Sequence, residues 1–160
     1  MFEERTIIYF DPFYFKNGNT AKPKYFIVLK NIDNKVVIAS LPTRRNSIPQ
    51  NYIKDYGCIE LPSFNFNCFV ISSGIEVTEC GKSFDFMTYL YGQQIDDYSI
   101  NYLSMLYQNE GSDYTIFGKV KIDIFDEMIN CFKHSNTIKR KYKKMLKNLV
   151  IKQESILKEK

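Results

Sequence analysis

The chain has 160 residues, enough for one domain with a real core, because a domain of this size buries roughly two-thirds of its unfolded surface. A composition of 44% hydrophobic, 16% aromatic and 25% charged residues excludes a disordered chain, and no apolar run reaches the roughly 20 residues that cross a bilayer. The net charge of +4 is uneven, since residues 133–160 carry ten Lys and Arg against two acids. Acids near the start disfavour a signal peptide, so we expect a cytoplasmic protein with no membrane partner.

The first half of the chain predicts short strands, because β-branched and aromatic residues cluster there in runs bounded by turn residues. Four such runs are residues 5–10, 24–30, 35–41 and 68–72. Asn and Asp dominate the four residues between the second and third runs, which predicts a β-hairpin. We expect Pro12 and Pro42 to end the first and third strands, and residues 86–91 with Ile95 are candidates for a fifth. Short strands with interrupting loops are typical of a small barrel.

The second half of the chain changes to a helical period. Apolar residues recur at helical spacing over residues 122–132 and again over 138–149, with a break at 134–136. The second stretch carries five cations on its opposite face: Lys139, Arg140, Lys143, Lys144 and Lys147. A shorter helix is expected over residues 98–107. The chain therefore ends in two amphipathic helices, the last of them strongly basic.

The domain organisation follows from these periods. We see no internal repeat and no linker, and predict a single domain over residues 1–160. Its fold class is mainly β with C-terminal helices: a small barrel with inserted loops over residues 1–121, followed by the helices over 122–160. The basic end suits a nucleic acid or an acidic partner, although a charge run is more often only a solvated helix face.

Four cysteines and one histidine limit the metal and disulfide chemistry. No two of the cysteines are as closely spaced as the pairs that zinc sites use; they are Cys58, Cys68, Cys80 and Cys131. Their even number permits disulfides, but nothing in the sequence indicates export, so we expect buried free thiols. His134 lies in a polar stretch and is expected to be a solvated residue at a helix boundary.

The predicted hairpin brings two polar segments to one end of the sheet. Residues 17–23 lead into the second strand, and residues 41–47 leave the third. Because the start of one antiparallel strand lies beside the end of the next, Lys22 and Thr43 should share this edge with two arginines. A hydroxyl among cations suits a phosphodiester, and the alternative is the ordinary polar rim of a barrel.

The order of several short segments resembles the MazF/PemK family of toxin endoribonucleases. Residues 21–29 (AKPKYFIVL) and 37–43 (VIASLPT) resemble that family's polar loop, Arg-Pro pair, hydrophobic strand and Thr-containing turn. Residues 92–96 (GQQID) resemble its Glu-Gln before a basic strand, and residues 116–120 (IFGKV) its glycine-containing approach to the terminal helix. The matches occur in the family's order over roughly residues 5–132.

The resemblance implies an SH3-like barrel of about five to seven strands that forms a homodimer and cleaves single-stranded RNA. It implies attack of the substrate's own 2′-OH on the adjacent phosphate without a metal or cofactor, and a cognate antitoxin that blocks the site. Carried over by position, Lys22 falls on the catalytic Arg and Thr43 on the catalytic Thr. Thr43 would bond the scissile phosphate, and Lys22 would stabilise its charge or transfer a proton.

Further residues are candidates for binding the RNA. Two arginines would hold flanking phosphates, and the supply of 12 Tyr and 13 Phe suits the stacking of bases on rings. Phe15 and Tyr52 are two such rings by proximity. The RNA-binding set is Asn17, Asn19, Thr20, Arg44, Arg45 and Tyr14.

Two departures from the family's pattern keep other functions open. Lys22 offers a point charge where the family has a planar guanidinium, and Gly92 stands where some members carry an acid. These departures favour a non-catalytic barrel that binds RNA or a protein. A third reading is an interaction protein whose basic helix, within residues 133–160, docks an acidic partner.

Overall fold

The computed structural model describes residues 1–41, 48 and 50–147, in which eight strands and three helices form. The strands are β1 (Thr6–Phe13), β2 (Lys22–Ile32), β3 (Lys35–Ser40), β4 (Gly57–Leu61), β5 (Phe66–Ile71), β6 (Thr88–Tyr91), β7 (Asp96–Ser99) and β8 (Tyr114–Lys119). The helices are α1 (Ile100–Leu106), α2 (Ile122–Lys133) and α3 (residues 140–147). Short 3₁₀ turns lie at Gln50–Tyr52, Pro62–Phe64 and Gly92–Gln94.

The strands form two antiparallel sheets. The first has the order β7-β3-β2-β1-β8, and the second has the order β4-β5-β6. A mainly β chain with C-terminal helices is therefore confirmed. The strands of the described ranges do not close into a barrel, because the edge strands β7 and β8 of the larger sheet do not pair with each other. The SH3-like topology stays a prediction.

The predicted hairpin between β2 and β3 is present. Its turn is Asp33-Asn34, and both residues have positive φ, 50° and 59°, as a two-residue hairpin turn requires and as Asp and Asn tolerate better than most residues. Phe26 pairs with Ser40, so the beginning of β2 lies beside the end of β3. This pairing creates the edge on which the site was expected.

The first strand is longer than its sequence suggests. β1 was expected to stop at Pro12, but it continues to Phe13, which pairs with Lys22 of β2. The pairing register shifts between Phe10 and Phe13, so an irregularity in the strand accommodates the proline, which has no N–H to donate. The loop that follows therefore starts at Tyr14 and ends where β2 begins.

Apolar side chains pack on both faces of the five-stranded sheet. On one face they meet α2 and α3, and α3 contributes Tyr142 and Leu146. On the other face an aromatic cluster packs against α1: Phe10, Phe13, Phe26, Tyr98 and Tyr107. The sequence predicted helices that overlap α1, α2 and the beginning of α3, and the apolar face predicted for α2 is buried except at one residue. Ile122, assigned to the apolar face, is 60% exposed, because it is the first residue of α2 and projects beyond the sheet.

A disulfide joins the smaller sheet to α2. It links Cys58 of β4 to Cys131, with the two Cα atoms 5.5 Å apart, so the prediction of free thiols is wrong for this pair. The sequence separation of 73 residues left no local signal of the bond.

Cys68 is free and buried as expected, and burial raises its pKa to about 12, whereas Cys80 is free and exposed. Disulfides persist mainly in oxidising compartments, so this bond does not support the cytoplasmic expectation, which stays a prediction.

The ends of the helices agree with the sequence in other respects. His134 follows the last residue of α2 and is exposed, which confirms its place at a helix boundary. Over the described ranges, no helix combines the length and the apolar character needed to cross a membrane.

Candidate functional site

A cleft of about 780 Å³ opens at the edge where β2 begins and β3 ends. One wall is the loop between β1 and β2, from which four of the predicted site residues line the cleft: Asn17, Asn19, Thr20 and Lys22. The opposite wall is the 3₁₀ turn Gly92–Gln94 and the start of β7. The structure thus brings these four predicted residues together around one cavity.

The other predicted site residues divide into two groups. Thr43, Arg44 and Arg45 lie outside the described residues; Ser40, three positions before Thr43 in the chain, lines the cleft. Tyr14 is half exposed but does not line the cleft, because its backbone N–H bonds the Tyr107 hydroxyl at 2.8 Å on the α1 side.

The floor of the cleft is aromatic and apolar. Phe15 supplies the ring that Tyr14 was expected to supply, and Phe26 and Tyr98 rise from β2 and β7. Burial, together with the charge of Asp96, raises the pKa of the Tyr98 hydroxyl to about 12, so this hydroxyl stays protonated near neutral pH. The floor therefore offers no phenolate; Phe26 and Tyr98 are buried in the aromatic core, which leaves the partly buried Phe15 as the ring that a ligand can reach.

Cations outnumber acids around the cleft. Four lysines line it, namely Lys16, Lys22, Lys24 and Lys139, against one carboxylate among the described residues, Asp96. The Lys22 side chain is exposed, with its Nζ 5.9 Å from the centre of the Phe15 ring, and it forms no ion pair with a described residue. An anionic ligand is the chemistry that this wall favours.

The one carboxylate is already engaged. Lys16 Nζ lies 2.7 Å from Asp96 Oδ1 and also donates to the backbone oxygen of Asp97 at 2.7 Å. The Tyr142 hydroxyl is shared between Asp96 Oδ1 at 3.1 Å and Asp97 Oδ1 at 3.0 Å. Partial burial raises the pKa of Asp97, but this hydroxyl and the charges of Lys141 and Lys16 outweigh it, so the pKa is lowered. The network ties the β1–β2 loop to β7 and α3.

The 3₁₀ turn carries two amides into the cleft and has no room for an acidic side chain at its first residue. Gln93 and Gln94 line the cleft, and Gly92 is buried beneath them. A Cβ at Gly92 would overlap Asn67 Oδ1 and come within 2.9 Å of two Ile138 side-chain carbons. The glycine is therefore required by packing, and an acidic side chain at this position would need the core to move.

Hydroxyl and amide groups complete the lining. Ser40 lines the cleft, and its buried Oγ makes no hydrogen bond to a described residue. The described ranges hold no group of three or more His, Cys, Asp or Glu side chains placed to bind a metal ion. Cations, amides and hydroxyls around aromatic rings are a combination that can bind phosphates and bases together.

Many lining residues were not predicted as part of a site, and Lys24, Asp96 and Lys139 are the charged ones besides Lys16. Lys24 lies two positions after Lys22, and the two-residue period of a strand places both on one face, so that signal was present. Asp96 was noted only as part of a family-like segment, and Lys139 only as a cation of the last helix. Both reach the cleft by tertiary packing, which no local pattern reveals.

Comparison with known proteins adds no assignment. No family model, curated protein or solved structure matches the chain. What the cleft does is therefore argued from its own side chains.

Proposed function

We propose that the cleft binds single-stranded RNA and cleaves it by attack of the 2′-OH on the adjacent phosphate. The observation that carries the proposal is the convergence of Asn17, Asn19, Thr20 and Lys22 on one cation-rich cleft with an aromatic floor. The sequence by itself predicts RNA-binding roles for Asn17, Asn19 and Thr20 and a catalytic role for Lys22. The biological role that fits is the toxin of a toxin–antitoxin pair, with an SH3-like homodimer and a cognate antitoxin as further predictions.

The binding part rests on complementary chemistry. Exposed lysine side chains bind the phosphates of a strand, and the partly buried Phe15 ring at the cleft is the one on which an unpaired base could stack. The side-chain amides of Gln93 and Gln94 can donate to and accept from base edges. A duplex would hide those edges and faces, so the aromatic floor favours a single strand.

The catalytic part assigns Lys22 to the phosphate. Its ammonium group is exposed at the cleft and is not neutralised by a described acid, so it can stabilise the charge that builds on the phosphorane. Thr43 is proposed as the second donor to that phosphate. Attack of the 2′-OH forms a 2′,3′-cyclic phosphate, and the bond to the 5′ oxygen breaks to leave a 5′-OH end.

A non-catalytic RNA-binding module is the second candidate, and the state of Asp96 favours it. Asp96 is the one carboxylate among the described lining residues that could take the 2′-OH proton, but it contacts Lys16 and the Tyr142 hydroxyl. A module of this kind would keep the same cleft and the same ligand without strand scission.

The deciding experiment incubates the protein with a long single-stranded RNA in EDTA and maps the 5′ ends. We expect discrete cuts with 5′-OH ends, and a rate about 10²- to 10³-fold lower in Lys22→Ala and Thr43→Ala, since each removes one donor to the phosphate. The matched control is Lys35→Ala, an exposed lysine at the far end of the same hairpin.

Each outcome separates the candidates. Intact RNA with tight, salt-sensitive binding would replace the nuclease with the binding module, for which the salt slope is roughly −0.7 per phosphate contacted. Cleavage that survives Lys22→Ala would remove the residue assignment. A protein that neither binds nor cuts RNA would contradict both candidates and leave the interaction protein.

A further inference from the structure

A second pocket of about 260 Å³ lies on the opposite face of the five-stranded sheet and is unusually aromatic. Four rings line it: Tyr25, Phe84, Phe86 and Phe117. Phe86 is 70% exposed, an unfavourable position for a phenylalanine that has no ligand to cover it. Leu41, Phe84 and Phe117 connect the pocket to the core on this face of the sheet, whereas Phe86 stands outside it.

The rings are arranged as flat walls. Phe84 and Phe117 stack with their centroids 5.4 Å apart and their planes at 14°, and Tyr25 meets Phe117 edge-on at 5.9 Å. Lys82 Nζ lies 5.1 Å from the Phe117 centroid and donates to the Phe117 backbone oxygen, so it holds that ring in place. A planar ligand gains more from such walls than a branched aliphatic side chain does.

The pocket adjoins the cleft through the same two strands. Tyr25 and Phe26 are neighbours on β2 and face opposite sides of the sheet, one into each cavity. Ser40 lines the cleft, whereas Leu41 lines the pocket and keeps its register by donating its N–H to the Tyr25 oxygen at 3.2 Å. A strand that leaves the cleft over this end of the hairpin therefore arrives at the pocket.

The charged group among the lining residues is a carboxylate, accompanied by the hydroxyls of Ser83 and Thr88. Asp85 lines the pocket and is exposed, beside the ring of Phe86. A carboxylate accepts hydrogen bonds and donates none, so it prefers a base edge with adjacent N–H donors. Guanine presents its N1–H and its 2-amino group side by side, whereas uracil presents one N–H between two carbonyl oxygens.

We propose that this pocket binds a guanine base of the single strand whose phosphates lie in the cleft. The inference rests on the proposed function, because it takes the ligand of the cleft to be RNA. Phe86 and the stacked pair would enclose the ring, and Asp85 would select guanine over uracil. The pocket volume suits one base and excludes a folded partner segment.

The test measures binding apart from cleavage. The probe is a labelled ten-nucleotide 2′-O-methyl RNA with guanines, compared with the same strand carrying uracil at those positions. We expect Phe86→Ala to weaken binding of the guanine strand about 5- to 100-fold, as loss of one stacking ring does elsewhere, and Asp85→Asn to abolish the preference for guanine. The matched control is Phe64→Ala, a 56% exposed phenylalanine that lines neither cavity.

The variants also separate this inference from the proposed function. If Lys22→Ala weakens binding while Phe86→Ala behaves like Phe64→Ala, the cleft binds RNA and the guanine pocket is wrong. If the wild-type protein binds neither strand, both proposals fall.

The chain has no tryptophan, so a single introduced indole can report occupancy of the pocket by its fluorescence. In Phe86→Trp the single indole stands at the pocket, and we expect the guanine strand to quench its emission and the uracil strand to leave it unchanged. Emission that changes instead with protein concentration, without RNA, would show a second copy in the pocket and overturn the inference.

Discussion

The disulfide between Cys58 and Cys131 should contribute a large part of the stability of this fold. It closes a loop with a sequence separation of 73 residues. In the chain-entropy treatment, a loop of that length removes about 15 cal/mol/K from the unfolded chain, or about 4 kcal/mol at 25 °C. Domains of this size unfold with only about 5–15 kcal/mol, so reduction should remove a substantial fraction of the free energy of unfolding.

Urea unfolding followed by circular dichroism, with and without reductant, measures this contribution. With a slope of about 2 kcal/mol per molar urea, the midpoint should fall by about 2 M on reduction. Cys80→Ser is the control, because that thiol is free and exposed and its loss should leave the midpoint unchanged. Denatured, unreduced protein should titrate only two thiols, those of Cys68 and Cys80. Four titratable thiols, or a midpoint insensitive to reductant, would refute the reasoning.

Two further predictions concern the walls of the cleft. Gly92→Ala should lower the free energy of unfolding by about 1–3 kcal/mol, because the added methyl overlaps the fully buried Asn67. The control is Gln93→Ala, an exposed site in the same turn. Equal urea midpoints for the two variants would contradict the contact. Tyr142→Phe should cost about 1.5–3 kcal/mol at pH 7, since it removes a hydroxyl bonded to carboxylates. The lowered pKa of Asp97 means that this stabilisation is present above about pH 4 and is lost as the pH falls through the folded-state pKa, so the gap between the two midpoints should narrow as the pH is lowered below about 4. A gap that stays the same through the acid range would show another cause.

The sequence predicted the parts of the fold that local pattern determines. The β2–β3 hairpin follows from two apolar runs around an Asp-Asn turn, and α2 follows from a helical period that carries six buried residues. β4 was missed, because its five residues (GCIEL) show no β-branched run and become a strand only by pairing with β5. Closure into a barrel was expected from short strands with interrupting loops and from the resemblance, but neither determines which edge strands pair.

The candidate site also has one part that local sequence pattern predicts and another part that depends on tertiary packing. Asn17, Asn19, Thr20 and Lys22 lie on one continuous loop at a strand entrance, so the hairpin was sufficient to predict that they lie together. The opposite wall comes from β7 and from Lys139, which lie more than 70 residues further along the chain. Their arrival depends on how two sheets and three helices pack, and no spacing in the sequence encodes that.

The Tyr142 hydroxyl of α3 bonds Asp96 and Asp97 beside the cleft, and this link changes how the basic end of the chain should be studied. α3 contributes Tyr142 and Leu146 to the core, and the residue before α3, Lys139, lines the cleft. A truncation at residue 133 would therefore remove part of the cleft and part of the core together with the charge. Charge reversal at exposed positions such as Lys144 and Lys147 leaves those contacts in place and isolates the electrostatic contribution of the helix. Lys139 and α3 are thus a structural part of the site, and the effect of their charge can be studied only through the outward-facing side chains of α3.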